Sequence, residues 1–207
     1  MEIEVLPEVQ LHLSSMEALT GDETGLIKVL EVSKREFFTY GTQVRTAGIE
    51  GLSWLKCGYN HSHFAALRAN SQLEVWSYAQ GSISMKSSIH LPAIENPLTV
   101  SHIETNRVIC VDKSGQTSIV KFQGGDDAST SSNGKKHKSV SDWEILKTFQ
   151  VKGPVGACAT CNGGAAFGGA ENDVVVYDLS TQQAIWNAKN VPYDTLGLRV
   201  PICTSHD

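Results

Sequence analysis

Apolar and polar positions alternate along this chain in short runs bounded by turn residues, and one such run returns four times. The copies are Gly25-Leu-Ile-Lys-Val-Leu-Glu-Val32, Ser71-Gln-Leu-Glu-Val-Trp-Ser77, Gly115-Gln-Thr-Ser-Ile-Val-Lys-Phe122 and Asn172-Asp-Val-Val-Val-Tyr-Asp178. Each is a small or polar turn followed by a β-rich stretch, which predicts a strand entered from a tight turn. Aligning Leu30, Trp76, Val120 and Tyr177 gives separations of 46, 44 and 57 residues. The long last interval holds an insertion at 124–141, rich in Ser, Gly, Asp and Lys and expected as a disordered polar loop. Removing it leaves one period near 45. Strand-like runs precede the copies at 16–20, 63–67, 107–111 and 164–168 and are expected as inner strands, where small residues let sheets converge. Outer strands are expected after them at 37–40, 82–86, 142–147 and 183–186. No long amphipathic helix pattern interrupts the series.

A period of about 45 residues with strands on both sides is the size of a four-stranded WD-repeat blade. The expected fold is therefore all-β, a WD-repeat-like β-propeller with about four blades at 12–41, 45–92, 97–152 and 154–189 and a fifth beginning at 190–207. A generic β-sandwich also gives short strands between turns. The same internal order recurring at one period favours the propeller. The usual signature is degenerate: Tyr177-Asp178 alone approaches Trp-Asp, and no copy has the Gly-His pair ahead of it.

Composition narrows the function. With 207 residues, 41% hydrophobic and 19% charged, the chain resembles a soluble domain able to bury a substantial core. Seventeen Lys plus Arg against 22 Asp plus Glu leave a net charge of -5, the wrong sign for a chain that binds mainly by neutralising phosphates. The acidic start, Met1-Glu-Ile-Glu, is unlike a secretory signal. The longest run without polar residues, 163–170, is far too short to cross a bilayer, so no membrane association is expected. Five scattered cysteines suit a reducing compartment, and the acceptor triplet Asn60-His61-Ser62 is expected to stay unglycosylated.

Few residues offer chemistry. Cys158-Ala-Thr-Cys161 and Cys203-Thr-Ser-His206 have ligand-like spacings that would suit zinc or thiol redox chemistry. Residues three apart on a strand face opposite ways, however, and 42 positions separate the two pairs, so core thiols and no metal are expected. The glycine-rich 163–169 lacks the order of a phosphate-binding loop and reads as a close-packed strand with flanking turns. Lys135, Lys136 and Lys138 form a short cationic run, either a localisation signal or RNA contact or a solvated loop. Seven histidines show no pairing with a nucleophile at a recognised spacing, so no enzyme, cofactor or small-molecule substrate is expected.

At the carboxyl end, Gly168-Gly-Ala-Glu-Asn172, Val175-Val-Tyr-Asp-Leu179, Ala188-Lys-Asn-Val191, Asp194 and Leu198-Arg-Val-Pro201 form an ordered stretch of motifs. This stretch resembles the WD repeat-containing protein 74 family of ribosome assembly factors; earlier in the chain, Thr24-Gly-Leu-Ile-Lys28 is the best local match. The resemblance implies a seven-bladed propeller with a basic tail, a non-catalytic scaffold in large ribosomal subunit assembly and pre-rRNA processing, and residence in the nucleus and nucleolus. It also implies partners: ribosome assembly factors, a nuclear AAA ATPase and pre-ribosomal RNA in the particle. Seven blades at this period need roughly 315 residues, so about four of seven are present and the chain is expected to be a fragment, a truncated isoform or a misread gene end. Such an open propeller leaves an apolar face uncovered at each end. Lys189, Asn190, Asp194 and Arg199 are the candidate partner contacts; Arg199 also reads as a buried arginine bracing two blades. The alternative function is a generic WD-repeat adaptor in a cytoplasmic complex such as ubiquitin ligation or signalling.

Overall fold

A computed structural model describes residues 17–32, 34–57, 60–79, 82–123, 143–170 and 172–189. The strands fall in four groups. The first sheet holds β1 (Glu17–Gly21), β2 (Ile27–Glu31) and β3 (Glu36–Tyr40). The second holds β4 (Ile49–Cys57), β5 (Asn60–Arg68), β6 (Gln72–Ala79) and β7 (Ser82–His90). β8 (Pro97–Glu104), β9 (Arg107–Asp112), β10 (Gln116–Phe122) and β11 (Trp143–Gln150) make the third, and β12 (Ala157–Cys161), β13 (Gly164–Gly169), β14 (Asn172–Asp178) and β15 (Gln183–Asn187) the fourth. Every sheet is an antiparallel meander in which each strand pairs with its neighbours in sequence. The one helical element among the described residues is a 3-10 turn, Arg45–Ala47.

Register fixes the phase of the repeat to a single residue. The β6–β7 ladder shifts between Val75 and Trp76, β10–β11 between Ile119 and Val120, and β14–β15 between Val176 and Tyr177. Three of the four aligned positions thus follow a bulge that bends the outer hairpin. Because side chains alternate, the aligned residue faces the preceding sheet and the residue before it faces the next. Ile27 and Val29 pack on Phe64, Ala66 and Trp76; Leu73 and Val75 on Val108, Cys110 and Val120; Ile109 and Ile119 on Ala165 and Phe167. Each Val, Leu, Ile or Phe among these contributes roughly 1.5–3 kcal/mol by leaving water, the alanines less.

In the second, third and fourth sheets the strands expected to be innermost, β5, β9 and β13, are second in order; in the first, β1 is the edge strand among the described residues. Sheets approach one another through β4, β8 and β12; the apolar pattern did not reveal β4 and β8, whereas Cys158 and Cys161 had placed a strand at β12. Their contacts are partly polar. His102 N donates to Ser53 Oγ at 2.9 Å, and Thr160 Oγ1 donates to His102 O at 2.7 Å, tying three sheets in series. A Cβ at Gly51 would come within 2.8 Å of Val100 N, so this approach depends on glycine.

Two turns repeat atom for atom. Asp22 Oδ1 accepts from Thr24 N (2.9 Å), Thr24 Oγ1 (2.7 Å) and Leu26 N (3.1 Å). Asp112 Oδ1 accepts from Ser114 N (2.8 Å), Ser114 Oγ (2.7 Å) and Gln116 N (2.9 Å). Gly25 (φ 87°) and Gly115 (φ 96°) then supply the left-handed residue, so Asp-x-Ser/Thr-Gly is a turn code in this chain. The Thr24 hydroxyl first, and Lys28 at 2.9 Å second, hold the Asp22 carboxyl far below the ordinary carboxylate range. A depressed folded value means that the unfolded chain takes up the proton first. The stabilisation is complete above a pH of about 4 and is lost as pH falls further. Melting curves of the parent chain and of Asp22→Ala should therefore differ most near neutrality and converge in acid.

Candidate interaction surface

The third and fourth sheets diverge at one end to leave a cleft of about 350 Å³. Three hairpin turns shape it: the β8–β9 turn at Glu104–Arg107, the β12–β13 turn at Asn162–Gly163 and the β14–β15 turn at Asp178–Ser180. Ile103, Ile119, Leu146 and Leu179 supply an apolar floor, and Glu104, Arg107, Lys147 and Asp178 a charged rim. The rim charges are already paired. Arg107 Nη1 lies 3.1 Å from Glu104 Oε2, and Lys147 Nζ donates to Ser180 O at 2.6 Å. Asp178 Oδ1 accepts from Ser180 Oγ (2.6 Å), Ser180 N (2.7 Å) and Thr181 N (3.1 Å). The Ser180 hydroxyl, then the two amides, lower its carboxyl below the usual range. An apolar floor with a rim of both signs suits an extended peptide carrying alternating apolar and charged side chains. A second opening of about 360 Å³ runs beside the first strands, between Glu50, Leu52 and Ser53 of β4 and Leu98, Thr99 and Ser101 of β8.

Of the residues singled out in the sequence, Lys189 is exposed two positions beyond β15. Asn190, Asp194 and Arg199 lie outside the described residues, as do Lys135, Lys136, Lys138, Cys203 and His206. Cys158 and Cys161 are brought onto β12, with Cys158 buried and Cys161 exposed, as strand alternation requires. Burial pushes the Cys158 thiol up to about 12 and raises Cys110 as well, which leaves both protonated and unreactive. Among the described residues no three His, Cys, Asp or Glu side chains are grouped as metal ligands. The glycine-rich 163–169 forms the β12–β13 turn and β13, and a Cβ on Gly169 would collide with Pro154 O. Sequence reasoning did not single out Glu104, Arg107 or Lys147. The available signal was Glu104-Thr-Asn-Arg107, a charged pair closing a two-residue turn with Asn106 at φ 59°.

Meandering four-stranded sheets stacked along their first strands are the blades of a WD40 β-propeller, and the described residues form part of such a ring, which they do not close. Solved structures place the fold. The chain superposes on the RRP9 WD40 repeats with a TM-score of 0.59 at 11% identity, covering 84% of this chain and 46% of that one. U3-55K gives 0.60 at 11% identity, with coverage of 84% and 46%. The β-propeller domain of Myceliophteria thermophila Cps50 (Swd1) gives 0.60 at 10% identity, with coverage of 86% and 52%. The chain thus spans about half the length of these structures, and at such identities the likeness is one of fold. No family model and no curated protein matches the sequence.

Proposed function

We propose that this protein is a non-catalytic interaction scaffold in assembly of the large ribosomal subunit, acting in the nucleus and nucleolus. The carrying observation is the resembling carboxyl-terminal stretch. Its described part forms the end of β13 and β14, and it places Asp178 and Leu179 in the cleft between the third and fourth sheets. A rigid stack of sheets presenting turns to several partners suits a scaffold, with specificity held in loops instead of a reactive centre. The proposed partners are ribosome assembly factors and a nuclear AAA ATPase, with pre-ribosomal RNA nearby in the particle. Lys189, Asn190, Asp194 and Arg199 are proposed partner contacts; Lys135, Lys136 and Lys138 serve localisation or touch RNA.

Sedimentation of nuclear extract on a sucrose gradient, blotted for this chain, tests the reading. Signal in the fractions that carry large-subunit precursors is the expected result. Signal confined to light fractions, with exclusion from nucleoli, would overturn it and favour a cytoplasmic adaptor.

A further inference from the structure

The cleft between the third and fourth sheets lies inside the stack, between two sheets whose four strands are all described, and its charges are less balanced than their count suggests. Glu104 and Asp178 oppose Arg107 and Lys147, so the formal sum is zero. Both carboxylates are engaged. Asp178 Oδ1 takes its donors from its own turn, the Ser180 hydroxyl and the Ser180 and Thr181 amides, and Glu104 faces Arg107 at 3.1 Å. The cations are less committed. Lys147 Nζ donates to a neutral carbonyl, Ser180 O, and makes no ion pair among the described residues, although an ammonium has three donors. The side chains of Arg107 and Glu104 are 43% and 54% exposed, so their pairing is weak and Arg107 can exchange partners. The capacity left over is positive. The repeat shows that stacking does not require this lysine. Register sets Lys147 opposite Ile119 on the face turned to the next sheet, and the same place holds Phe38 opposite Val29 in the first sheet and Ser87 opposite Val75 in the second. Those two sheets stack on their successors without a charge there.

We infer that the cleft takes an extended acidic segment of a partner protein, in which apolar side chains alternate with Asp or Glu. The apolar side chains lie on Ile103, Leu146 and Leu179, and the carboxylates meet Lys147 first and Arg107 second. The net charge of -5 makes the sign specific: attraction by the chain as a whole would select a basic peptide, and only the local cations favour an acidic one. This inference rests on the scaffold reading in treating the cleft as a partner's seat. It needs neither the ribosomal process nor the nucleolus, and its test uses purified protein, so it and the sedimentation result fail separately.

The test is fluorescence anisotropy of a short labelled peptide of alternating leucine and aspartate, titrated with the purified 207-residue chain. Peptides of the same length that alternate leucine with lysine or with asparagine are run beside it. The aspartate peptide should bind tightest and be released as salt rises. Lys147→Glu should weaken it by about tenfold or more, the size of one charge-assisted contact, and bring up binding of the lysine peptide. Glu104→Gln should tighten the aspartate peptide a few-fold by freeing Arg107, a gain that damage to the fold would not produce. Circular dichroism confirms that each variant is folded, and Lys147→Gln is the milder replacement. No binding of the aspartate peptide by the parent chain, or equal binding of all three peptides, would overturn the proposal. So would a folded Lys147→Glu or Lys147→Gln chain that keeps the aspartate peptide. A Glu104→Gln chain that binds no tighter would overturn the part given to Arg107. Binding of a labelled single-stranded RNA that Lys147→Glu abolishes, with no peptide bound, would overturn the peptide and give the cations to phosphate.

Discussion

Arg68→Met is expected to cost about 3–5 kcal/mol of unfolding free energy, the range for breaking a buried ion pair from one side. Arg68 Nε donates to Glu74 Oε1 at 2.7 Å, with both side chains less than a tenth exposed. Its Nη1 also donates to Gly25 O (3.0 Å) and Ala47 O (2.9 Å), so one guanidinium joins the first sheet's turn and the 3-10 turn to the second sheet. Trp76 Nε1 donates to the other Glu74 oxygen at 2.9 Å. Without the arginine, the buried Glu74 carboxyl keeps one indole donor, and two carbonyls lose their partner. The pair itself need not be strongly stabilising. Arg68→Met combined with Glu74→Leu should lose less than Arg68→Met alone, because no charge is then stranded. Urea unfolding followed by circular dichroism measures all three. A single-variant loss below about 1 kcal/mol, or a double variant worse than the single, would show that the network does not carry the junction.

Phe64→Ala should cost about as much, about 3–5 kcal/mol, for a different reason. Phe64 is fully buried between the first and second sheets. It stacks parallel to Trp76 with centroids 6.3 Å apart and meets Trp54 edge-on at 5.7 Å. Truncation removes the transfer energy of the ring and leaves a cavity that rigid aromatic neighbours on a sheet cannot fill by relaxing. Phe64→Leu keeps most of the volume and should lose less than about 1.5 kcal/mol. Denaturant midpoints at constant slope separate the two. Equal losses would mean that packing at this site is insensitive to volume, contrary to the cavity argument.

What the sequence disclosed follows from which strands are buried on both faces. β6 hides Leu73 through Trp76 and β10 hides Thr117 through Val120, so those runs stand out, and aligning them gave the phase that the bulges later marked. β4 and β8 were missed because their work is partly done by Ser53 and His102, whose hydrogen bonds between sheets look in sequence like loop polarity. Strand alternation did separate Cys158 from Cys161 correctly. The cleft was not legible. Its rim brings together Glu104, Arg107, Lys147 and Asp178 from different hairpins, and no spacing rule connects residues that meet only when two sheets stack.

The meander order also bears on how the molecule reaches this state. Each strand pairs with the one made just before it, so every hairpin except β10–β11 closes over a short stretch of chain. Closing short loops costs little entropy, and local pairing speeds folding. A growing chain can therefore complete the second sheet while the fourth is still being synthesised, each finished sheet offering a template face to the next. The 124–142 stretch within β10–β11 makes that hairpin the slowest closure, and the third sheet the step at which such sequential folding pauses.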